Sequence, residues 1–265
     1  MNVVCAIAKN ENKYIRDWVQ YYLSIGFDHI YIYDNNELTA PDIRTLLADI
    51  KNVTIFDVRG QQYAGIQTDC YTKFYQEYKN KFDWCLFCDI DEFLTGVKDV
   101  RSWLQHFKAD QIRIQWKLFG DDDIIERDTS IPVYKFFKHQ VKSSLHRNLQ
   151  QKGDLEIQGK AIVRGGMDDV YLSSPHYALR KNHDIKSVLP SGKPATARVR
   201  IRQNYSKETV FLNHYMTKTL SEFAAQKLNR HDAVYGSNIS LDYFWRINKK
   251  TPEKLQWLKD HGYIK

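Results

Sequence analysis

The sequence has no long apolar run and few cysteines, prolines or methionines. No hydrophobic stretch approaches the ~20 residues that a membrane-spanning helix needs. No charged segment followed by an apolar one precedes the first predicted strand, which argues against a secretory signal. Four cysteines in 265 residues also suit a reducing compartment. We therefore expect a cytoplasmic protein.

The cysteines do not predict a zinc site. Cys85 and Cys88 form a C-x-x-C, but the segment has the pattern of a strand, in which an odd separation places two side chains on opposite faces. No second cysteine pair follows. We expect buried, reduced thiols.

Positive charge is in excess, with a net charge of +7, and much of it is concentrated in one stretch. Residues 180–207 contain eight Lys or Arg and a single acid. Within it, "RVRIR" places Arg198, Arg200 and Arg202 on one face of a predicted strand. These arginines predict either a contact with an anionic membrane or phosphorylated acceptor, or a solvated edge strand. Nucleic acid is not an expected partner, because no nucleic-acid-binding motif is present.

Strand and helix patterns alternate over residues 1–96. The predicted strands are "VVCAIA", "HIYIY", "NVTIFDV" and "WCLFC". Ile15, Trp18 and Tyr22 lie on one face of a helix that Gly26 ends, Pro41 opens a second helix, and "TDCYTKFYQEY" is a third. This order predicts a parallel sheet covered by helices.

The pattern is less regular after Gly96. "QIRIQWKLF", "VYKFF", "KAIV" and "RVRIR" are predicted strands. Thr219-x-x-Glu222 predicts a capping box, and Thr251-Pro252 predicts the start of a last helix. No linker is evident, so a single domain over 1–265 is the simplest interpretation.

The apolar strand "WCLFC" ends in the acidic segment Asp89-Ile90-Asp91-Glu92. We expect Asp89 and Asp91 to point the same way, exposed at the strand tip, where ligands of open α/β sheets bind. Two neighbouring carboxylates repel each other unless a cation lies between them, and carboxylate oxygens suit Mg²⁺ or Mn²⁺. The alternative is a solvated acidic loop.

An Asp-x-Asp after an apolar strand occurs in two enzyme classes. One is the haloacid-dehalogenase-like phosphohydrolases, with Asp89 as nucleophile. That class expects Thr where this chain has Phe93, and usually carries the motif on the first strand rather than the fourth. The other class is the GT-A glycosyltransferases, where a metal bridges the acids and a nucleotide-sugar diphosphate.

Several segments favour the second class. The chain resembles glycosyltransferase family 92 and its bacterial family-2-like relatives from about Val3 to Arg230. The motifs that carry the resemblance are "VVCAIAKNENKYIRDWVQYYLSIGFDHIYIYDNN", "DWCLFCDIDEFL", "WKLFGDDD", "GKAIVR", "SPHYA" and "NHYMTKTLSEFAAQKLNR". The resemblance implies a GT-A fold, a UDP-sugar donor, Mn²⁺ or Mg²⁺, and inversion at the anomeric carbon.

The resemblance also implies roles for individual residues. Asp89 and Asp91 would hold the metal and donor diphosphate, with His214 completing the metal shell and His176 as the rival ligand. Lys218 would neutralise the leaving UDP, and Asp34 would hold uracil or ribose unless it is a plain turn former. The residues expected to line the nucleotide at the end of the first strand are Ala8, Asn10 and Glu11.

An inverting transfer needs a base for the acceptor hydroxyl. The acidic run after "WKLFG" supplies candidates, with Asp121 first and Asp123 second, although its register against the family pattern is open. Trp116 is expected near the acceptor, and Lys160 near a phosphate or the acceptor.

Together these observations predict an α/β protein of GT-A fold with a mixed central sheet. Residues 1–96 would bind the nucleotide sugar, 97–238 would hold acceptor and catalytic groups, and 239–265 would form a helical tail. The predicted activity is metal-dependent transfer of a hexose, most plausibly galactose, from UDP. The acceptor would be a hydroxyl of a cell-surface glycan or a lipid-linked saccharide precursor.

Overall fold

The computed structural model describes residues 1–141, 158–196, 208–228, 230 and 238–265. Its strands are β1 Asn2–Ala8, β2 His29–Asp34, β3 Val53–Asp57, β4 Trp84–Phe87, β5 Glu92–Thr95, β6 Gln111–Leu118, β7 Gly159–Arg164, β8 Val170–Ser174, β9 Tyr177–Arg180, β10 Ser187–Val188 and β11 Phe211–His214. Its α-helices are α1 Ile15–Ser24, α2 Ile43–Leu46, α3 Ile66–Tyr78, α4 Val100–Leu104, α5 Val133–Phe136, α6 Leu220–Gln226, α7 Leu241–Trp245 and α8 Pro252–Asp260.

One mixed sheet organises the described part of the chain. Its strand order is β3-β2-β1-β4-β7-β6-β11-β5, and β10 pairs with β6. Strands β3, β2, β1 and β4 are parallel, as the alternating pattern predicts, whereas β7 runs antiparallel to both β4 and β6. Strands β8 and β9 form a separate hairpin.

The sheet is covered on both faces, and β1 shows why. Val4 and Ala6 face one apolar cluster, which includes Trp18 of α1, while Val3 and Cys5 face a second cluster, built with α3. This alternation follows from the two-residue period of a strand. Each large side chain that is buried completely contributes roughly 1.5–3 kcal/mol.

The cysteine prediction is confirmed for the fold. All four cysteines are buried and free. Cys85 belongs to the cluster on the α3 face, whereas Cys88 belongs to the cluster on the α1 face. The two thiols of the C-x-x-C therefore lie on opposite sides of the sheet.

One predicted strand is wrong. "VYKFF" forms α5, whose N-cap is Pro132, because a short apolar run has no period long enough to separate strand from helix. The capping box of Thr219 and Glu222 is confirmed at the start of α6, as is the Thr251 cap of α8. The predicted strand that carries Arg198, Arg200 and Arg202 lies outside the described residues.

A close backbone contact places β7 beside β6. A Cβ atom on Gly159 would lie 1.8 Å from the carbonyl oxygen of Ile114, so only glycine permits this approach. The next residue, Lys160, is thereby fixed at the centre of the sheet. Within the described ranges, no helix is long and apolar enough to cross a bilayer.

Candidate active site

The candidate site lies beyond the carboxyl ends of the parallel strands. Ala8, the last residue of β1, is paired in register with Asp34 at the end of β2, and Asp89 follows β4. The chain leaves β1 through Asn10, whose φ of 60° is in the left-handed region that Asn tolerates. Because ligands of open α/β sheets bind at this edge, these residues outline a candidate ligand site.

Asp89 is held from two sides. Its Oδ2 accepts a hydrogen bond from Lys160 Nζ at 2.9 Å, and its Oδ1 accepts one from Gln67 Nε2 of α3 at 2.6 Å. Burial is the largest effect and raises the pKa of Asp89, but the charge and the hydrogen bond of Lys160, together with His214, leave that pKa below its ordinary value. The side chain is 33% exposed, so it is an ionised group that opens to solvent.

Asp91 is held more tightly. Lys227 Nζ lies 2.5 Å from its Oδ2, and His214 Nε2 lies 3.3 Å from its Oδ1. Burial opposes ionisation, yet Lys227 and then His214 hold the pKa of Asp91 well below its usual range. The expectation of an exposed strand-tip acid is wrong for Asp91, which is 4% exposed, because both cationic partners cover it.

The geometry of the acidic segment also differs from a strand. Strand β4 ends at Phe87 and β5 begins at Glu92, so Asp89 and Asp91 lie in the turn between them. The i, i+2 rule for a strand therefore does not apply, and the two carboxylates reach different lysines. They nevertheless stay close enough for Asp91 to raise the pKa of Asp89.

Glu92 is buried completely beside the two aspartates. Its Oε2 accepts from the backbone N–H of Asp89 at 3.0 Å, and its Oε1 lies 3.8 Å from Lys160 Nζ. Burial raises the pKa of Glu92 well above its ordinary value, despite the Lys160 charge. Burial therefore favours the neutral form of Glu92, whereas the neighbouring lysines favour the ionised forms of Asp89 and Asp91.

Trp116 of β6 brings three of the predicted residues together. Its ring centroid lies 5.2 Å from that of His176 and 4.5 Å from that of His214, and Lys160 Nζ lies 5.9 Å from it. Trp116 Nε1 and His214 Nδ1 are buried without a hydrogen-bond partner among the described residues. Such atoms are rare in folded proteins, and a bound water, ion or ligand is one way in which they are satisfied.

His176 is a neutral member of this group. Burial, and then the Lys160 charge, lower the pKa of His176 to about 3. Its Nδ1 lies 3.0 Å from the carbonyl oxygen of Gly159, which assigns the ring proton to Nδ1 and makes Nε2 an acceptor.

The residues predicted to line the nucleotide at the end of β1 contact the C-terminal part of the chain. Glu11 is 6% exposed, and its Oε2 accepts from Lys218 Nζ at 3.2 Å. Lys218 has a φ of 55° and places its ammonium 4.5 Å from the centroid of the Tyr14 ring. Asn10 Nδ2 donates to the carbonyl of Gln226 at the end of α6. Lys218 is thus buried and paired with Glu11 at the end of β1.

Asp34 forms a turn, which was the alternative to a nucleotide contact in the sequence-based interpretation. It is 1% exposed, its Oδ1 accepts from Asn36 N at 3.0 Å, and its Oδ2 accepts from Ile43 N at 3.1 Å. Both oxygens are therefore used by the backbone. A contact of Asp34 with uracil or ribose stays a prediction.

Asp121 and Asp123 form a second group, tied to the C-terminal helices. Lys254 Nζ of α8 lies 2.5 Å from Asp121 Oδ2, and Asn248 Oδ1 accepts from the backbone N–H of Asp121 at 2.8 Å. Burial raises the pKa of Asp121, and Lys254 only partly offsets it. Asp123 is more exposed and pairs with Lys249 at 2.9 Å.

The carboxylates are of the type that binds a divalent cation, but their oxygen atoms are already paired with other side chains. Asp89, Asp91 and His214 offer the oxygen and nitrogen atoms that Mn²⁺ accepts. The oxygen atoms of both aspartates, however, face Lys160, Gln67, Lys227 and His214. Over the described ranges, no three His, Cys, Asp or Glu side chains are grouped in a way that could hold a metal. A metal would therefore have to share these carboxylates with ammonium groups.

Comparison with known proteins identifies the protein family. The sequence matches glycosyltransferase family 92 over residues 3–167, more than half of the chain. The chain belongs to glycosyltransferase family 92. The strand order confirms the predicted α/β class with a mixed central sheet. The phosphohydrolase alternative with Asp89 as nucleophile receives no support.

Solved structures add distant similarities. Two structures of S. aureus TarS 1–349, one in complex with UDP, are 14% and 13% identical to this chain, with a TM-score of 0.35, and cover 49% of it. The galactosyltransferase LgtC, in complex with donor and acceptor sugar analogues, is 15% identical, with a TM-score of 0.26 over 46% of this chain. The match spans 38% of the TarS chain and 47% of the LgtC chain. No curated protein matches this chain.

Sequence reasoning missed two partners of the aspartates, Gln67 and Lys227. Lys227 follows Leu220 by seven residues and Phe223 by four, so at the C-cap of α6 it continues the apolar face of that helix. A lysine on such a face needs a buried acidic partner. This was the one feature of the sequence that indicated a partner for Lys227. Nothing in the sequence around Gln67 points to Asp89.

Proposed function

We propose that this glycosyltransferase transfers a hexose, with galactose as the best candidate, from a UDP-sugar to a hydroxyl group. The acceptor is a cell-surface glycan or a lipid-linked saccharide precursor. The observation that carries the proposal is the charged cluster of Asp89, Asp91, Lys160 and Lys227 beyond the parallel strands. A diphosphate leaving group needs cations at the place where its negative charge develops, and this cluster provides two.

The donor would lie across the tips of β1, β2 and β4. Lys218, behind the end of β1, supplies a third cation near this edge. The unpartnered Trp116 Nε1 supplies a hydrogen-bond donor close to Lys160. The nucleotide contacts of Ala8, Asn10 and Glu11 are part of the same proposal.

Asp121 is the proposed base for an inverting transfer. Its raised pKa makes its carboxylate a better proton acceptor than an ordinary aspartate. In this role it removes the proton of the acceptor hydroxyl as the new glycosidic bond forms and UDP departs. Asp123, which lies beside it and faces solvent, is the second candidate.

The divalent cation stays a prediction. Asp89, Asp91 and His214 are the residues that would hold Mn²⁺ or Mg²⁺, which would add positive charge at the diphosphate. Contact of Arg198, Arg200 and Arg202 with an anionic membrane also stays a prediction, as does a location on the cytoplasmic face.

The test is release of UDP from a panel of UDP-sugars, with UDP-galactose first, in the presence of Mn²⁺. We expect turnover by the wild type and a loss of roughly a hundredfold or more in Asp89→Asn. Asp242→Asn, which changes an exposed acid at the start of α7, is the matched control and should keep full activity. Absence of UDP release from every UDP-sugar would contradict the proposal.

A further inference from the structure

The C-terminal helices contact the acidic turn that follows β6. None of the motifs that carry the family resemblance lies in residues 238–265, yet two side chains of this segment reach Asp121. Asn248 Oδ1 accepts a hydrogen bond from the backbone N–H of Asp121 at 2.8 Å, and Lys254 Nζ lies 2.5 Å from Asp121 Oδ2. The side chains of Asp121 and Lys254 are 4% and 2% exposed. They therefore form a buried ion pair between this turn and α8.

The backbone of the turn is strained and is held from outside. Asp122 and Asp123 have φ values of 52° and 60°, in the left-handed region that residues with a side chain rarely adopt. Such conformations persist only where the surrounding structure fixes them, and they are frequent at active sites. Asn248 supplies one of the fixing contacts through the N–H of Asp121.

Asn248 is itself fixed by two further hydrogen bonds. Its Nδ2 donates to Thr217 Oγ1 at 3.0 Å and to the carbonyl oxygen of Phe244 in α7 at 3.1 Å. Thr217 precedes Lys218, which pairs with Glu11 at the end of β1. Asn248 thus connects the turn that carries the proposed base with the segment that carries Lys218.

The three acids of the turn have different surroundings. Asp122 is partly exposed, and its Oδ2 accepts from the backbone N–H of Lys138 at 3.1 Å. Asp123 pairs with Lys249, and its side chain is 53% exposed. Asp121 is the buried one of the three, and its Oδ1 accepts from the backbone N–H of Asp123 at 3.0 Å. The C-terminal contacts therefore single out Asp121 among three neighbouring acids.

The charged groups that face Asp121 are Lys254 of α8, Asp123 of its own turn and Lys249, which precedes α8. Burial raises the pKa of Asp121, and the charge of Asp123 adds to this effect. Lys254 opposes both through a hydrogen bond and its charge. Loss of Lys254 would therefore raise the pKa of Asp121 further.

We propose that Lys254 is a positioning residue for the transfer reaction, whose ammonium holds the Asp121 carboxylate in one orientation while Asn248 holds the backbone of Asp121. The inference rests on the proposed role of Asp121 as the base. In that reaction the acceptor oxygen gives its proton to Asp121 and forms a bond to the anomeric carbon. The bond from this carbon to the diphosphate oxygen breaks, and UDP leaves with the electron pair. Lys254 keeps its proton and acts only through Asp121.

The experiment compares the pH dependence of UDP release in the wild type and in Lys254→Met. The donor is UDP-galactose, or the most active UDP-sugar of the panel, and water serves as acceptor. We expect the acid limb of kcat to move upward by about one pH unit or more, because Asp121 loses the opposite charge beside it. Above that limb, kcat should fall roughly tenfold or more, because the base is no longer held in place. KM for the donor should be unchanged.

Lys250→Met is the matched control, since Lys250 is exposed, and it should keep the wild-type pH profile. If circular dichroism shows that Lys254→Met does not fold, Lys254→Gln keeps a hydrogen-bond donor without the charge and should show the same upward movement. A folded Lys254 variant with the acid limb of the wild type overturns the proposal. A lower rate does not rescue it in that case, because a purely structural role would lower the rate without moving the limb.

Failure of this inference is distinguishable from failure of the proposed function. A wild type that releases no UDP from any UDP-sugar overturns the proposed function itself. A wild-type rate in Asp121→Asn overturns the base and with it the inference. Activity that requires Asp121, with an acid limb that the Lys254 substitutions do not move, overturns only the role of Lys254.

Discussion

Arg127 and Glu222 form a buried ion pair between parts of the chain that are 95 residues apart. Arg127 Nη2 lies 2.8 Å from Glu222 Oε1, and Arg127 Nε lies 3.0 Å from Glu222 Oε2. The side chains are 0% and 4% exposed. Glu222 also accepts a hydrogen bond from the Tyr14 hydroxyl at 2.7 Å, so the pair connects the segment after β1 to α6.

Arg127→Met should destabilise the fold by about 3–5 kcal/mol, because it leaves the Glu222 carboxylate buried without its cation. Urea denaturation of the two proteins measures the difference. The double variant Arg127→Met/Glu222→Gln should recover part of the loss, since no unpaired charge is left. A loss below about 1 kcal/mol in the single variant would show that the pair is not buried in solution.

Asp91→Asn should lower stability as well as activity. The substitution leaves the Lys227 ammonium, at 6% exposure, opposite a neutral amide. We expect a loss of roughly 3 kcal/mol in the free energy of unfolding, measured by urea denaturation. Asp242→Asn serves as the control for stability too. An unchanged midpoint for Asp91→Asn would restore the first expectation, that this acid is exposed at the strand tip.

Asp121→Asn should separate binding from chemistry. If Asp121 is the base, the variant should bind UDP with wild-type affinity and lose roughly a hundredfold or more in kcat. The substitution also removes the counter-charge of Lys254, so the measurement should include Asp121→Asn/Lys254→Met, which leaves no unpaired ammonium. Transfer at the wild-type rate in either variant would exclude Asp121 as the base.

Glu92→Gln should change how stability depends on pH. Burial raises the folded-state pKa of Glu92 above its unfolded value, so the wild type loses stability as pH rises from about 4.3 towards the folded pKa. Glutamine has no proton to lose. The variant should therefore gain stability relative to the wild type as pH rises above about 4.3, measured by urea denaturation. A relative loss over this interval would mean that Glu92 is ionised in the folded protein.

Local patterns were sufficient for much of the fold. The two-residue alternation of β1 and the spacing of Ile15, Trp18 and Tyr22 in α1 predict which faces are buried, because a strand and a helix repeat at fixed intervals. "VYKFF" was assigned to the wrong class because a five-residue segment with four apolar or aromatic residues fits both the strand period and the helix period. Pro132, which cannot donate a ladder hydrogen bond, was the residue that favoured a helix start.

The site was predictable only in part, because its contacts span long distances in sequence. The apolar strand before Asp89 and Asp91 indicated the edge of the sheet at which both lie. Their partners could not be predicted in the same way, since the contact of Asp91 with Lys227 spans 136 residues. The burial of Asp91 follows from that contact and not from the residues around it.

The central claim is that a uridine nucleotide binds at the tips of β1, β2 and β4, and calorimetric titration of UDP in the presence of Mn²⁺ tests it most directly. The account predicts saturable binding of one UDP per chain. It also predicts weaker binding in Lys160→Met, which loses one of the cations at the diphosphate, and unchanged binding in Lys250→Met. No heat of binding from UDP, in a wild type whose folded state is confirmed, would contradict the account.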